Sequence, residues 1–229
     1  MTAVAVIIPA LNEAGNIPAL VQETRKQPIR WVIVADNGST DDTAPFAHQA
    51  GAIVVREPRQ GYGYVCAVGT AEALRLGADI LMYLDGDFSS LPSEMPRLIA
   101  PLQHNEADLV LGSRALGHIA AGAMLPHQRF GNWLSARLMS RLYKVRVTDL
   151  GPYRGIRADL MRTLNMREMT YGWPTEMMVK AATRKARIIE VPVSWHRRHS
   201  GHSKVSGTVR GSILAAYHIL GVTLRHAWK

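Results

Sequence analysis

The stretch "DILMYLDGDFSS", residues 79–90, runs an apolar segment into two acids separated by a single glycine. A segment as apolar as 80–84 suits a strand covered on both faces. Asp85 and Asp87 then fall at its carboxyl end. Carboxylates in such a place are costly unless a cation or hydrogen-bond donors neutralise them. On an extended segment alternate side chains point the same way, so both acids can reach one hard cation. A Mg²⁺ or Mn²⁺ ion carrying a diphosphate would satisfy them. Asp-Gly-Asp is also good turn chemistry, so the pair takes its meaning from its surroundings.

The surroundings repeat the pattern. "VAVIIP" (4–9), "WVIVA" (31–35), "AIVV" (52–55) and "ADLVLG" (107–112) are further apolar, β-branched runs. Helix-length stretches lie between them at about 15–27, 42–50, 62–77 and 92–103, with start signals such as Ser39, Thr40 and Asp41, or Pro92. The alternation predicts an α/β fold built on a mainly parallel sheet with right-handed crossovers. Ligands bind such sheets at the carboxyl ends of the strands. Asn12 and Glu13, Asp36 and Asn37, Asp85 and Asp87, and Ser113 and Arg114 are therefore expected to face one cleft.

The second half is less regular. "HIAAGAMLP" (118–126) reads as a loop, "RFGNWLSARLMSRLYK" (129–144) and "YGWPTEMMVKAATRK" (171–185) as helices, and "ARIIEVPVSW" (186–195) as a strand. A last helix is expected within 206–229. A chain of 229 residues, 47% of them hydrophobic, is enough for one well-cored domain. The single cysteine, Cys66, cannot form an internal disulfide, and the first residues lack a signal-peptide pattern. No apolar run approaches the roughly 18–20 residues that span a bilayer. A cytoplasmic protein is expected.

Charge divides the chain. Residues 1–112 carry 7 Lys+Arg against 13 Asp+Glu, and residues 113–229 carry 20 against 5. An acidic half followed by a basic half suggests two ligands of different charge, or one ligand bridged to the acids by a cation. Nucleic acid and an anionic lipid surface are both candidate anions.

"PALNEAGNI" (9–17), "VADNGSTDDT" (34–43), "YLDGDF" (83–88) and "LGSR" (111–114) occur in order, each directly after a predicted strand. Together they resemble the nucleotide-binding half of the family 2 glycosyltransferases of GT-A fold. "TDLGPYRGIRAD" (148–159), "YGWPTEMMVKA" (171–181) and "HSKVSGTVRG" (202–211) extend the resemblance to the branch that includes dolichol-phosphate mannose synthase and related polyprenyl-phosphate glycosyltransferases. The resemblance implies a Rossmann-like nucleotide-sugar half (1–114), an acceptor half (115–205) and a C-terminal helix (206–229) within one domain. It implies inverting transfer of a hexose from a UDP- or GDP-sugar to a polyprenyl phosphate.

The resemblance also assigns residues. Pro9, Leu11 and Glu13 would line the base and ribose pocket, and Asp36 would accept a hydrogen bond from the base. Asp85 would approach the ribose and the metal, with Asp87 the main ligand of Mg²⁺ or Mn²⁺. Gly61 of "RQGYGYVCAVG" (59–69) would offer backbone contact to the donor or make a tight turn. Arg114 and Arg129 would hold the acceptor phosphate. Arg198, Ser203 and Lys204 match a loop that closes over the donor and acceptor phosphates. The sequence has Asp-Asn at 36 and 37 where many relatives have Asp-Asp, and Asp-Gly-Asp at 85–87 where the mannose synthases usually have Asp-Ala-Asp.

Several readings compete. A lipid phosphate is already an anion and needs cations rather than a base, whereas a hydroxyl acceptor calls for a carboxylate base. Glu176 is the best candidate base, and the scarcity of acids after residue 112 favours the phosphate acceptor. His196, His199 and His202 have no acid or cysteine beside them and stand among cations, which weighs against zinc. Gly61 and Gly63 lack the third glycine of a dinucleotide fingerprint, since Cys66 occupies that position. A nucleotidyltransferase would show a glycine-rich basic signature after the first strand. A nucleic-acid binder would show more than 7% aromatics and a recognisable motif.

In "RFGNWLSARLMSRLYK" the residues Phe130, Leu134, Leu138 and Leu142 are expected to form a core stripe, beside a solvated stripe of Arg137, Arg141 and Lys144. The final helix, with Val209, Ile213, Tyr217, Leu220 and Leu224, could pack on the domain or lie at the inner face of the cytoplasmic membrane as a peripheral contact.

Overall fold

The computed structural model describes residues 2–201 and 209–226, with residues 209–216 described by their backbone alone. Seven strands form one sheet: β1 (Val4–Ala10), β2 (Trp31–Asp36), β3 (Ile53–Arg56), β4 (Ile80–Tyr83), β5 (Leu109–Ser113), β6 (Arg154–Arg157) and β7 (Ile188–Pro192). Their order is β3-β2-β1-β4-β6-β5-β7. All pairings are parallel except those of β6, which runs antiparallel between β4 and β5.

β1 shows why the sheet is two-sided. Val4, Val6 and Ile8 enter one apolar cluster, while Ala5 and Ile7 enter another on the opposite face. The first face is covered by α1 (Ile17–Arg25), α2 (Thr43–Gln49) and α4 (Met95–Gln103). The second face is covered by α3 (Tyr62–Arg75) and α7 (Trp173–Thr183). Such residues cannot alternate with polar ones, and the continuous apolar run follows directly.

β6 and the short α6 (Ala158–Leu164) escape the sequence reading. "RGIR" has no apolar run to announce a strand, because Arg154 takes a place in the core. Its register sets Arg154 beside Tyr83 on one neighbour and Leu111 on the other. The chain thereby brings residues of the second half into the middle of the sheet, next to the strand that ends in the acids.

α5 (Pro126–Tyr143) and α8 (Val209–Arg225) pack on one another, and α8 also contacts α7. The Tyr143 hydroxyl donates to the Thr223 carbonyl at 2.5 Å, and Val222 and Thr223 are buried. α8 thus packs on the domain through this turn, although Tyr217 and Leu224 remain exposed. The expected core stripe of α5 is wrong. Ser135, Ala136 and Met139 face inward, whereas Phe130, Leu134 and Leu142 are exposed. Spacing alone identified a stripe but not which stripe meets the sheet. Among the described residues, no helix is long and apolar enough to cross a membrane.

Candidate active site

A cleft of about 570 Å³ opens over the carboxyl ends of β1, β2 and β4. Pro9, Leu11, Glu13, Gly61, Asp85, Asp87 and Arg198 all line it, as the sequence reading expected. Ser203 and Lys204 lie outside the described residues, as does His202.

The two acids do not sit on an extended strand. β4 ends at Tyr83, and Gly86 and Asp87 belong to a turn that finishes with Phe88 at φ 63°. A Cβ on Gly86 would lie 3.0 Å from the Pro9 carbonyl oxygen, so the turn presses against the end of β1. Asp85 Oδ1 accepts from the Tyr62 hydroxyl at 3.1 Å. Asp87 Oδ1 accepts from the Ser89 N–H at 3.0 Å and the Ser89 hydroxyl at 2.6 Å. Burial, and then the neighbouring Asp87 carboxylate, push Asp85 up to about 7. Two carboxylates facing one cleft form a hard-oxygen donor pair suited to Mg²⁺ or Mn²⁺. Among the described residues no cluster of three or more His, Cys, Asp or Glu gathers as a ready-made metal cage.

Behind the pair lies Arg154, buried to 1% exposure. It donates to the Pro174 carbonyl at 2.7 Å and to the Leu150 and Gly151 carbonyls. Burial pulls it down to about 10, so it remains charged near neutrality, and its charge favours ionised Asp85.

Asp36 and Asn37 divide the labour differently from expectation. Asp36 is fully buried and accepts the Ser39 N–H at 3.1 Å, and it is Asn37 that lines the cleft. The Asn37 amide donates to the Glu57 and Arg59 carbonyls at 2.9 and 2.7 Å, while its Oδ1 accepts the Gly61 N–H at 3.1 Å. A carboxylate has no N–H to give. Asparagine at 37 is thus explained by the turn it holds. Gly61, at φ 149°, sits where a Cβ would meet the Met169 carbonyl oxygen at 2.5 Å, and a Cβ on Gly63 would collide with Glu168 and Met169. The glycines let α3 approach the 168–171 segment, which supplies Met169, Thr170 and Tyr171 to the cleft.

Arg198 spans the cleft wall. Its Nη2 donates to both Glu13 oxygens at 2.6 and 2.7 Å, and its Nη1 stands 4.0 Å from Asp87 Oδ2. Asn16 steadies the same corner by donating to Glu13 at 2.5 Å and to the Ser200 carbonyl at 3.2 Å. One arginine therefore links Glu13, after β1, to Asp87, after β4.

A second cavity, of about 410 Å³, is lined by Arg114, Arg129 and Arg137 among apolar residues that include Ile119, Met124 and Trp133. Arg114 separates from the other two by its partner. It donates to Asp149 through Nε at 2.7 Å and Nη2 at 2.6 Å, and its backbone N–H reaches the same carboxylate at 2.6 Å. Its guanidinium also lies 4.9 Å from the ring centre of Trp195, which lines the first cleft. The two cavities therefore abut at the Arg114–Trp195 contact. Arg129 and Arg137 are exposed. Ser113, expected at the cleft, is buried and shares a 2.7 Å hydrogen bond with Thr148.

Glu176 does not line either cavity. It is 2% exposed, accepts the Arg167 and Glu168 N–H groups at 2.9 and 2.8 Å, and pairs with Lys180 at 2.8 Å. This is a correction to its expected role as a base: its position early in α7 reflects a bracing function for the 167–168 backbone. Glu176→Gln is expected to lower the melting temperature by several degrees, since hydrogen bonds to a charged group contribute about 1.5–3 kcal/mol. Turnover should fall by less than about tenfold, against the roughly 10²–10⁴ lost with a general base. Thermal denaturation and initial rates on the same preparation separate the two effects.

Sequence reasoning missed Tyr62, Tyr64, Met169, Thr170, Tyr171, Trp195 and His218 in the cleft, and Asp149 behind Arg114. The aromatics beside Gly61 and Gly63 were a usable signal, and so was a lone acid at the start of the basic half. His218 carried none, because only packing brings α8 to the cleft.

Comparison with known proteins accords with this geometry. The chain is 37% identical over 215 residues to an uncharacterized glycosyltransferase of Mycobacterium tuberculosis, covering 93% of this chain and 94% of that one. It is 30% identical over 239 residues to an undecaprenyl-phosphate mannosyltransferase of Micrococcus luteus, covering 96% and 94%. The crystal structure of glucosyl-3-phosphoglycerate synthase from Mycobacterium tuberculosis, solved with Mn²⁺, UDP and phosphoglyceric acid, superposes with a TM-score of 0.80. The sequence identity there is 20%, with 99% of this chain and 78% of that one covered. That likeness shows the fold. The family model described as glycosyl transferase family 2 matches residues 5–164, and the chain belongs to that family.

Proposed function

We propose that the protein catalyses metal-dependent, inverting transfer of a hexose from a UDP- or GDP-sugar to a polyprenyl phosphate. The observation that carries the reading is the pair of abutting cavities, one floored by carboxylates and the other apolar with arginines on its wall. The first suits a nucleotide diphosphate sugar held through a cation, and the second suits an amphiphilic anion. The activity named for the Micrococcus luteus relative, and the Mn²⁺ and UDP bound by the structural neighbour, support the assignment.

Mg²⁺ or Mn²⁺ bound by Asp87 and Asp85 would supply charge neutralisation for the leaving diphosphate. The protein's own groups do the rest. Pro9, Leu11, Asn37 and Gly61 hold the nucleoside end, and Tyr62 orients the Asp85 carboxylate. Arg198, now held between Glu13 and Asp87, is placed to transfer its hydrogen bonds to the diphosphate as negative charge develops there. Ser203 and Lys204 are assigned to the same phosphates by their place in the motif. Arg129 positions the acceptor phosphate, with Arg114 as the wall shared with the donor cleft. An ionised phosphate oxygen attacks the anomeric carbon from the face opposite the departing diphosphate. It requires no base, which agrees with Glu176 lying elsewhere.

The test is incubation of the purified protein with UDP- and GDP-hexoses, Mn²⁺ or Mg²⁺, and a short-chain polyprenyl phosphate, read by mass spectrometry. The expected product is the polyprenyl phosphate hexose. Transfer only to a soluble phosphorylated hydroxy acid would redirect the acceptor assignment, and no transfer or donor hydrolysis across the panel would overturn the reading.

A further inference from the structure

Tyr64 lines the first cleft together with Pro9, Leu11, Asn37 and Gly61, the residues assigned to the nucleoside end. The helix sets its direction. Successive residues of α3 turn by about 100°, so Tyr64 lies roughly 200° round from Tyr62, whose hydroxyl reaches Asp85. With Tyr62 directed at the acids, Tyr64 is directed away from them, toward the loop that follows β3.

What meets it there is a fixed cation. The Arg59 guanidinium lies 4.5 Å from the centre of the Tyr64 ring. Arg59 is pinned at both ends: its Nε and Nη2 donate to the two Glu57 oxygens at 2.8 and 2.7 Å, and its carbonyl accepts the Asn37 amide at 2.7 Å. Its side chain is 66% exposed, and an ion pair so exposed adds little to stability. The effect of the pairing is to hold the guanidinium over the ring. A Cβ on Gly61 would lie 3.1 Å from Tyr64 Cδ2, so the backbone also closes on the ring's edge.

Arg59 does not line the cleft. The ring is therefore backed from outside, and its remaining surface is what the cavity meets. A rigid aromatic surface of this kind suits a planar π partner, and stacking accepts any of the bases because each has a π face. The hexose is less well placed for the ring, since it hangs on the diphosphate held at Asp85 and Asp87, from which Tyr64 turns away.

We propose that Tyr64, held in place by the Arg59–Glu57 pair, is the platform on which the donor's nucleobase stacks. The inference rests on the nucleotide-sugar reading and adds to it a contact that recognises the base.

Calorimetry in the presence of Mn²⁺ tests it with UDP, GDP and inorganic pyrophosphate, the last having no base. For whichever nucleotide the full chain binds, Tyr64→Ala is expected to weaken binding by about tenfold or more, the scale of one base stack. Tyr64→Phe keeps the ring and should stay within about threefold of the parent protein. Pyrophosphate binding should be unchanged in both variants. Arg59→Ala removes the support but not the ring, and should weaken nucleotide binding by about two- to fivefold. Nucleotide affinity of Tyr64→Ala equal to that of the parent would overturn the proposal. An equal loss for pyrophosphate would also overturn it, since that marks a merely structural role. A loss seen with the UDP- or GDP-hexose but not with UDP or GDP would give the ring to the sugar and overturn it too. A parent protein that bound neither nucleotide with Mn²⁺ would remove the nucleotide-sugar reading itself, whereas nucleotide binding indifferent to Tyr64 removes the platform alone.

Discussion

Asp87→Asn is expected to lower kcat/KM for sugar transfer by about a thousandfold or more while leaving the fold intact. Loss of a metal ligand removes several kcal/mol of transition-state stabilisation, and about 4 kcal/mol corresponds to a thousandfold. Asparagine keeps an Oδ1 that can accept from the Ser89 N–H and hydroxyl, so the turn after β4 is not disturbed. It also removes the carboxylate that repels Asp85, so the melting temperature without metal should be unchanged or slightly higher. Binding gives a readout apart from turnover. Mn²⁺-dependent UDP binding, measured by calorimetry, should weaken by at least tenfold in the variant. Activity within tenfold of the parent protein, with unaltered Mn²⁺ dependence, would remove Asp87 from the metal-binding role.

The second large effect is on stability. Arg114→Met is expected to cost about 3–5 kcal/mol, the range for breaking one side of a buried ion pair. Asp149 is fully buried, and Arg114 supplies it with three of its donors, two from the side chain and one from the backbone. Methionine fills similar space but leaves the carboxylate without its charge partner, and the stacking of the guanidinium on Trp195 is lost as well. A domain of this size should melt roughly 10 °C lower. Adding Asp149→Leu removes the stranded charge and should recover part of the loss. Recovery stays incomplete because the Arg114 N–H then lacks its acceptor. Thermal melts of the two single variants and the double variant measure the coupling directly. A single-variant loss below about 1 kcal/mol would mean that water reaches Asp149.

The same residue shows how far the sequence could be read. Arg114 follows a strand in a basic half, and that much suggested phosphate binding. Its bidentate pairing with an acid 35 positions later could not be read from spacing, even though Asp149 is the first acid of the basic half. The pairing leaves Arg129 as the more available cation in the second cavity. Glu176 and α5 carry a related lesson. A carboxylate at a helix start and an apolar stripe of period four are both legible, but their roles depend on what packs against them. Glu176 meets backbone N–H groups and Lys180, and the α5 stripe is exposed because a smaller face of Ser135, Ala136 and Met139 is the one that fits the domain. Arg154 is the extreme case, a charged residue in mid-sheet that hides the strand carrying it.

Sequence by itself determined the parallel strands, the order of the motifs and the acids at the strand ends. Those features are local: apolar runs need cover on both faces, and polar residues directly after a strand have only the sheet's carboxyl edge to occupy. Tertiary structure decided which charges are already paired, which face of α5 is left open, and which aromatics close the cleft. Each of these depends on groups far apart in the chain meeting across β6, α7 and α8. A long-range contact carries no spacing signal, because neither partner's immediate neighbours need change for it to form.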